Sequence, residues 1–170
     1  MKVLKKQTNS KMCYICGMDN PFGLKAPFYE MEDGSLVSIF EYKSIHQSYP
    51  GRTHGGLITA MLDEVAGRAI WITEPTTWGV TMDLKVKFRK IVLYDVKLKA
   101  VGKIIKNTKR GFVGDAKIYD MDGNILAEAE VTYIKLPLAQ IASDDIHSEV
   151  NTYYPCLLYT SPSPRDRQKS

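Results

Sequence analysis

The chain contains no apolar run approaching the ~20 residues that cross a bilayer. Its first residues, MKVLKKQTNSKM, are basic but lack the apolar stretch of a signal peptide. A cytoplasmic protein with no membrane partner is therefore expected. Cysteine is scarce, limited to Cys13, Cys16 and Cys156. An odd number of thiols in a chain expected in the cytoplasm argues against a disulfide framework. Cys13 and Cys16 form a single C-x-x-C, with no second pair and no suitably spaced histidines. A tetrahedral zinc site needs about four ligands, so the two are expected to be packed, reduced thiols. Neither a metal nor another cofactor is expected. Excess charge is lacking too. The formal net charge is +4, and Arg165, Arg167 and Lys169 against Asp166 supply +2 of it near the C-terminus. The remaining +2 is too little for a nucleic-acid partner.

At 170 residues, with 44% hydrophobic and 25% charged residues, the chain can bury the core of one domain without staples. Residues 1–34 are expected to be an irregular or partly helical lead-in carrying Cys13, Cys16 and the Asn20-Pro21 turn. Residues 35–137 are expected to form the folded domain, 138–155 an extension, and 156–170 a non-native tail. That tail, CLLYTSPSPRDRQKS, reads like translated vector sequence and is not expected to belong to the fold. Within the domain, Leu36 to Tyr42 suggests a strand. Gly55 to Ile72 is a helix, because Leu57, Ile58, Met61, Leu62, Val65, Ala69 and Ile70 recur at helical spacing; Glu74-Pro75 ends it. From Val80 onward the pattern is period two: Val80 to Phe88, Val96 to Ile105, Gly111 to Tyr119 and, after the Asp122-Gly123 turn, Ile125 to Leu136. In the first of these, Val80, Met82, Leu84, Val86 and Phe88 share one face, and Thr81, Asp83, Lys85 and Lys87 the other. The fold class is α+β: an antiparallel sheet of about five strands wrapped around one long helix.

Chemistry concentrates on that helix. Its start, Pro50-Gly51-Arg52-Thr53-His54-Gly55-Gly56, presents amides without internal partners at the positive end of the helix dipole. Such a terminus suits an anion or a carbonyl oxygen that becomes an oxyanion; a glycine-rich cap is the plainer alternative. Asp63 stands seven residues beyond Gly56, with Thr59, Ala60, Ala66, Gly67 and Ile70 as helical neighbours and no cation three or four positions away. A carboxylate on so apolar a stripe is desolvated and therefore more basic. Glu64, by contrast, has Arg68 four residues on, which predicts an ordinary exposed helix pair. Seven residues at ~1.5 Å rise separate Gly56 from Asp63 by about 10 Å. One carbonyl cannot engage both on the same helix, so shared chemistry requires two subunits about a two-fold axis.

His54-Gly55-Gly56 followed by Leu62-Asp63-Glu64 resembles the signature of hotdog-fold acyl-CoA thioesterases of the phenylacetyl-CoA type. Gln47, Pro50-Gly51 and Ala69-Ile70-Trp71 fit the same pattern. Cys13-Tyr14-Ile15-Cys16-Gly17 with Asn20-Pro21-Phe22-Gly23-Leu24 resembles the lead-in of one branch. The likeness spans residues 13 to 136. It implies a hotdog fold, a homodimer or homotetramer with active sites at the dimer interface, and an acyl-CoA substrate. It further implies that Asp63 acts as general base or nucleophile and that the Gly56 amide polarises the thioester carbonyl. His54, Gln47, Gly55, Ser48 and Thr81 would line the site, with Ser48 standing where some relatives carry asparagine. Thr81 sits on the face of its strand shared with Asp83 and Lys85, which argues against a role at the site.

Coenzyme A phosphates need basic surface, and Lys85, Lys87, Arg89 and Lys90 form one cluster, with Lys87 and Arg89 the expected contacts; Lys103, Lys106, Lys109 and Arg110 form another. Two rival readings keep the fold. A non-catalytic acyl-CoA or lipid-binding module gains nothing from an unpaired carboxylate. An enoyl hydratase or dehydratase would pair a histidine such as His54 with a carboxylate.

Overall fold

A computed structural model describes residues 2–142. The rest of the expected extension and the tail with Cys156 lie outside the described residues. In chain order the elements are β1 (Val3–Lys6), β2 (Tyr29–Met31), β3 (Leu36–Glu41), α1 (Gly55–Arg68), β4 (Gly79–Phe88), β5 (Lys97–Asn107), β6 (Gly111–Tyr119), β7 (Ile125–Lys135) and a single turn α2 (Leu138–Ile141). Helix α1 runs on as a 3-10 turn over Ala69–Ile72, matching the helical pattern up to Glu74-Pro75.

The strands make one antiparallel sheet in the order β1-β2-β3-β5-β6-β7-β4, curled around α1. This is the hotdog arrangement, with seven strands where about five were expected. The two extra strands, β1 and β2, lie in the segment expected to be irregular. Their residues explain the miss. Strand β2 has three residues, too few to show alternation, and β1 is Val3-Leu4-Lys5-Lys6, exposed along most of its length.

Alternation places the core. In β6 every second residue is buried, from Phe112 through Gly114 and Ala116 to Ile118, and β7 contributes Ala127, Ala129, Val131 and Tyr133. These face Ile58, Met61, Leu62, Val65 and Ala66 of the helix. Small residues let the helix lie close. A methyl group added at Gly102 would stand 2.3 Å from the Val65 carbonyl oxygen, and one at Gly114 would stand 2.9 Å from Ala66 Cβ. The obstacle at Gly102 is backbone and cannot swing aside. Gly102→Ala is therefore expected to cost about 3 kcal/mol of stability, the upper part of the usual range for overpacking. Urea unfolding measures it, and a cost below about 1 kcal/mol would mean that α1 slides freely on the sheet.

Strand β4 departs from simple alternation. Its ladder with β7 pairs Thr81 with Tyr133 but Asp83 with Thr132, so Met82 is an extra residue in a β-bulge. Beyond the bulge Leu84 and Val86 face the helix; before it Thr81 does. The shared face expected for Val80, Met82 and Leu84 is corrected accordingly. Met82 is 60% exposed and Val80 40%, and Thr81 points inward. Strand β4 also closes one end of the sheet order, leaving a ten-residue edge without a strand beside it among the described residues.

Candidate functional site

The loop before the helix is short and internally tied. Gln47 bridges to Thr53, and the Ser48 N–H donates to the Arg52 carbonyl at 2.9 Å. His54 is the helix N-cap: its Nδ1 accepts from the Gly56 N–H at 2.9 Å. In the neutral ring, Nε2 then carries the proton. The amide expected to polarise a carbonyl is thus held by an exposed, displaceable side chain. The end of β4 lies beside this turn, since a methyl at Gly55 would meet the Phe88 ring at 3.5 Å.

Two turns on, Asp63 projects from the same helix toward the start of β4. Thr81 Oγ1 donates to Asp63 Oδ1 at 2.9 Å. Tyr133 Oη shares its proton between that oxygen at 2.9 Å and the Asp63 main-chain carbonyl at 2.6 Å. Both donors converge on Oδ1, and Oδ2 has no hydrogen-bond partner among the described residues. The bulge at Met82 is what turns Thr81 to this position, which corrects the expectation from strand parity. Burial holds the Asp63 carboxyl above the ordinary carboxylate range, against the lowering effect of the Thr81 and Tyr133 hydrogen bonds. Burial, then the adjacent Asp63 charge, push the Tyr133 phenol far up, so it remains a donor.

Tyr133 was legible only as an inward position of β7. A hydroxyl on a face otherwise made of Ile, Ala and Val was the available signal, because a buried phenol needs a partner. Gly67, one turn past Asp63, makes room for the ring: a methyl there would come within 3.2 Å of it.

Asp63 lines a cavity of about 270 Å³. Trp71 and Trp78 meet edge to face at 5.0 Å, Phe112 stacks on Tyr133 at 4.6 Å, and all four rings form its apolar walls. His54, Gly56, Gln47 and Ser48 are not in this lining, so a single chain does not bring the two ends of the expected site together. The expected phosphate contacts lie elsewhere again. Lys87 stands opposite Glu128 on the outer face of the sheet, and the Arg89 guanidinium is paired with that carboxylate, Nε at 3.0 Å.

The Glu64–Arg68 pair is not the exposed pair expected. The lead-in folds over this side of α1, and Arg68 is buried between the Phe28 and Trp71 rings, 4.9 Å from each centroid. Its Nε holds Glu64 at 2.7 Å and one terminal nitrogen reaches Cys16 Sγ at 2.9 Å. Cys13 and Cys16 are free thiols on the cavity wall. The Cys16 thiol is brought down to about 6, chiefly by its hydrogen bond from Cys13 and also by Arg68; that same bond and burial push Cys13 up.

The Thioesterase superfamily profile matches residues 50–127, from the loop before α1 to the middle of β7. No curated protein matches the chain. Among solved structures, a thioesterase superfamily protein is 22% identical over 72% of this chain, with a TM-score of 0.67. The chain spans 63% of that protein's length. A mutant thioesterase from Pseudomonas aeruginosa is 20% identical, covering 68% of this chain and 84% of its own, with a TM-score of 0.60. A hypothetical thioesterase from Streptococcus pneumoniae TIGR4, solved with coenzyme A, is 22% identical over 65% of this chain and 84% of its own, with a TM-score of 0.59. Sequence profile and sheet-around-helix topology agree: the chain has the hotdog fold, and its residues 50–127 resemble the thioesterase superfamily.

Proposed function

We propose that the chain is an acyl-CoA thioesterase that hydrolyses the thioester to a free acid and coenzyme A, with Asp63 as its reactive carboxylate. The observation that carries this reading is the Asp63 side chain itself. One oxygen is pinned by two hydroxyl donors and the other stands free, on a partly buried carboxyl bordering an aromatic-walled cavity. A purely structural aspartate would have both oxygens satisfied. The free Oδ2 takes the proton from an attacking water, or itself attacks the thioester carbon. The aromatic walls suit an apolar acyl group. The coenzyme A found with a protein of the same fold supports this choice of thioester.

The second half of the site comes from a partner subunit. The open edge of β4 is a ready template for another strand. Two β4 strands pairing antiparallel about a point near Leu84 and Lys85 bring the Thr81 end of one chain beside the Phe88 end of the other. Asp63 sits at the first end and Gly56 near the second, so each two-fold-related pair supplies one carboxylate and one helix N-terminus. The thioester oxygen then displaces His54 Nδ1 from the Gly56 amide, which stabilises the oxyanion. The direct test is release of free thiol from a panel of acyl-CoA esters. Binding without turnover across the panel would overturn the enzyme reading, and loss of enoyl absorbance without thiol release would replace it with a hydratase.

A further inference from the structure

We propose that Cys13, Cys16 and Glu64 bind one divalent cation of the zinc type, which ties the lead-in to helix α1 at the edge of the Asp63 cavity. The three donor atoms lie within 4.8 Å of one another, the one such cluster of three or more among the described residues. Two thiolates and a carboxylate on three positions, with a fourth left for water, is a ligand set that zinc accepts. All three residues line the cavity, so the fourth position faces it.

The backbone around the cysteines is shaped for metal-bound thiolates. The Ile15 and Cys16 N–H groups both donate to Cys13 Sγ at 3.4 Å. The Gly17 N–H closes the turn onto the Cys13 carbonyl at 2.8 Å. A methyl at Gly17 would stand 2.3 Å from that carbonyl oxygen, so glycine is required after the second cysteine. Asn9 fixes the turn to the body of the protein by donating to the Cys16 and Ala26 carbonyls at 2.6 and 3.1 Å. Ser10 Oγ and Arg68 then meet Cys16 Sγ at 3.3 and 2.9 Å. Donors aimed at ligand sulfurs and carboxylates are the outer shell that orients a metal site.

Charge and an orphaned acceptor point the same way. Fully ionised, the two thiolates and Glu64 carry three negative charges, and Arg68 is paired with Glu64 and Cys16. A divalent ion balances the remainder. Asn9, 3% exposed and on the same cavity wall, leaves its Oδ1 without a donor; a water on the cation would supply one. Sequence counting missed the site because Glu64, the third donor, reaches the pair only through folding.

The test uses full-length chain carrying Cys156→Ser, so that this pair supplies the only thiols, stripped with a chelator and titrated with cobalt(II) alone. The expected result is one cobalt per chain with a thiolate-to-cobalt charge-transfer band, displaced by zinc(II). Cys13→Ser and Cys16→Ser each lose at least about half of the band's intensity, and the double variant loses it entirely. Glu64→Gln, which keeps both thiols, retains it and binds cobalt more weakly than the parent. Circular dichroism of each variant separates a lost ligand from a lost fold, and a parent chain that gives no band overturns the site. So does cobalt binding unchanged in the cysteine variants, cobalt binding as tight in Glu64→Gln as in the parent, or conversion of the pair to a disulfide in place of metal uptake.

Discussion

Asp63→Ala is expected to lower acyl-CoA turnover by about 10²–10⁴-fold, the usual worth of a positioned acid–base group, while leaving the fold in place. Removal of the side chain takes away a cavity-lining carboxylate whose Oδ2 has no hydrogen-bond partner among the described residues. Its structural cost is small for a specific reason. Tyr133 keeps its 2.6 Å bond to the Asp63 main-chain carbonyl, so the phenol is still satisfied and the Phe112–Tyr133 stack stays put. Thr81 lies on an exposed strand and turns to water. Loss of a desolvated carboxyl relieves a burial penalty as well, so thermal stability is expected to be unchanged or slightly higher, as at many functional sites. Asp63→Asn should be as inactive as alanine, because an amide is neither a base nor a nucleophile at this position, although it preserves shape. Thiol release and a thermal melt on the same preparations check both halves. Turnover near the parent rate in either variant would falsify the assignment of Asp63.

Much of this arrangement was legible in the residues, and the parts that were not share a physical cause. Helix α1 and strands β4 to β7 were visible because periodicity is a local property carried over many residues. Asp63 stood out for the same reason: a lone acid on an apolar stripe contradicts its surroundings. What stayed hidden depended on pairing across the chain. The bulge at Met82 changes the parity of β4 by one residue, and no local pattern in Val80-Thr81-Met82-Asp83 signals it, yet it decides that Thr81 reaches Asp63. Strand β2 forms on the edge that β3 offers, and β1 on the edge of β2, not through their own sequence. Arg68 looked like half of an exposed pair until the lead-in covered it. Cys13 and Cys16 looked isolated until the same folding set them against Glu64. In each case a long-range contact overrode a correct short-range reading.

Mixing two inactive chains is expected to restore activity. Asp63→Ala removes the carboxylate. Gly56→Pro removes the amide N–H, in the first helical turn where proline is tolerated, and glycine before it eases the restriction on that residue. Loss of one oxyanion donor costs about 10²–10³-fold, so each variant alone is close to silent. If Asp63 and Gly56 meet across a two-fold axis, a mixed dimer holds one site with both groups lost and one with both intact. Random pairing at equal amounts makes half the dimers mixed, and turnover should rise to about a quarter of the parent value per chain. Co-expression of the two chains with different tags, and purification through both, raises it to about half. A site built within one chain predicts no recovery at any ratio, because each chain then lacks a group of its own. The ~10 Å between the two groups along α1 makes that second outcome hard to reconcile with any shared chemistry. Silent mixed dimers would therefore overturn the two-subunit site, and turnover near the parent rate in Gly56→Pro alone would remove Gly56 from the reaction.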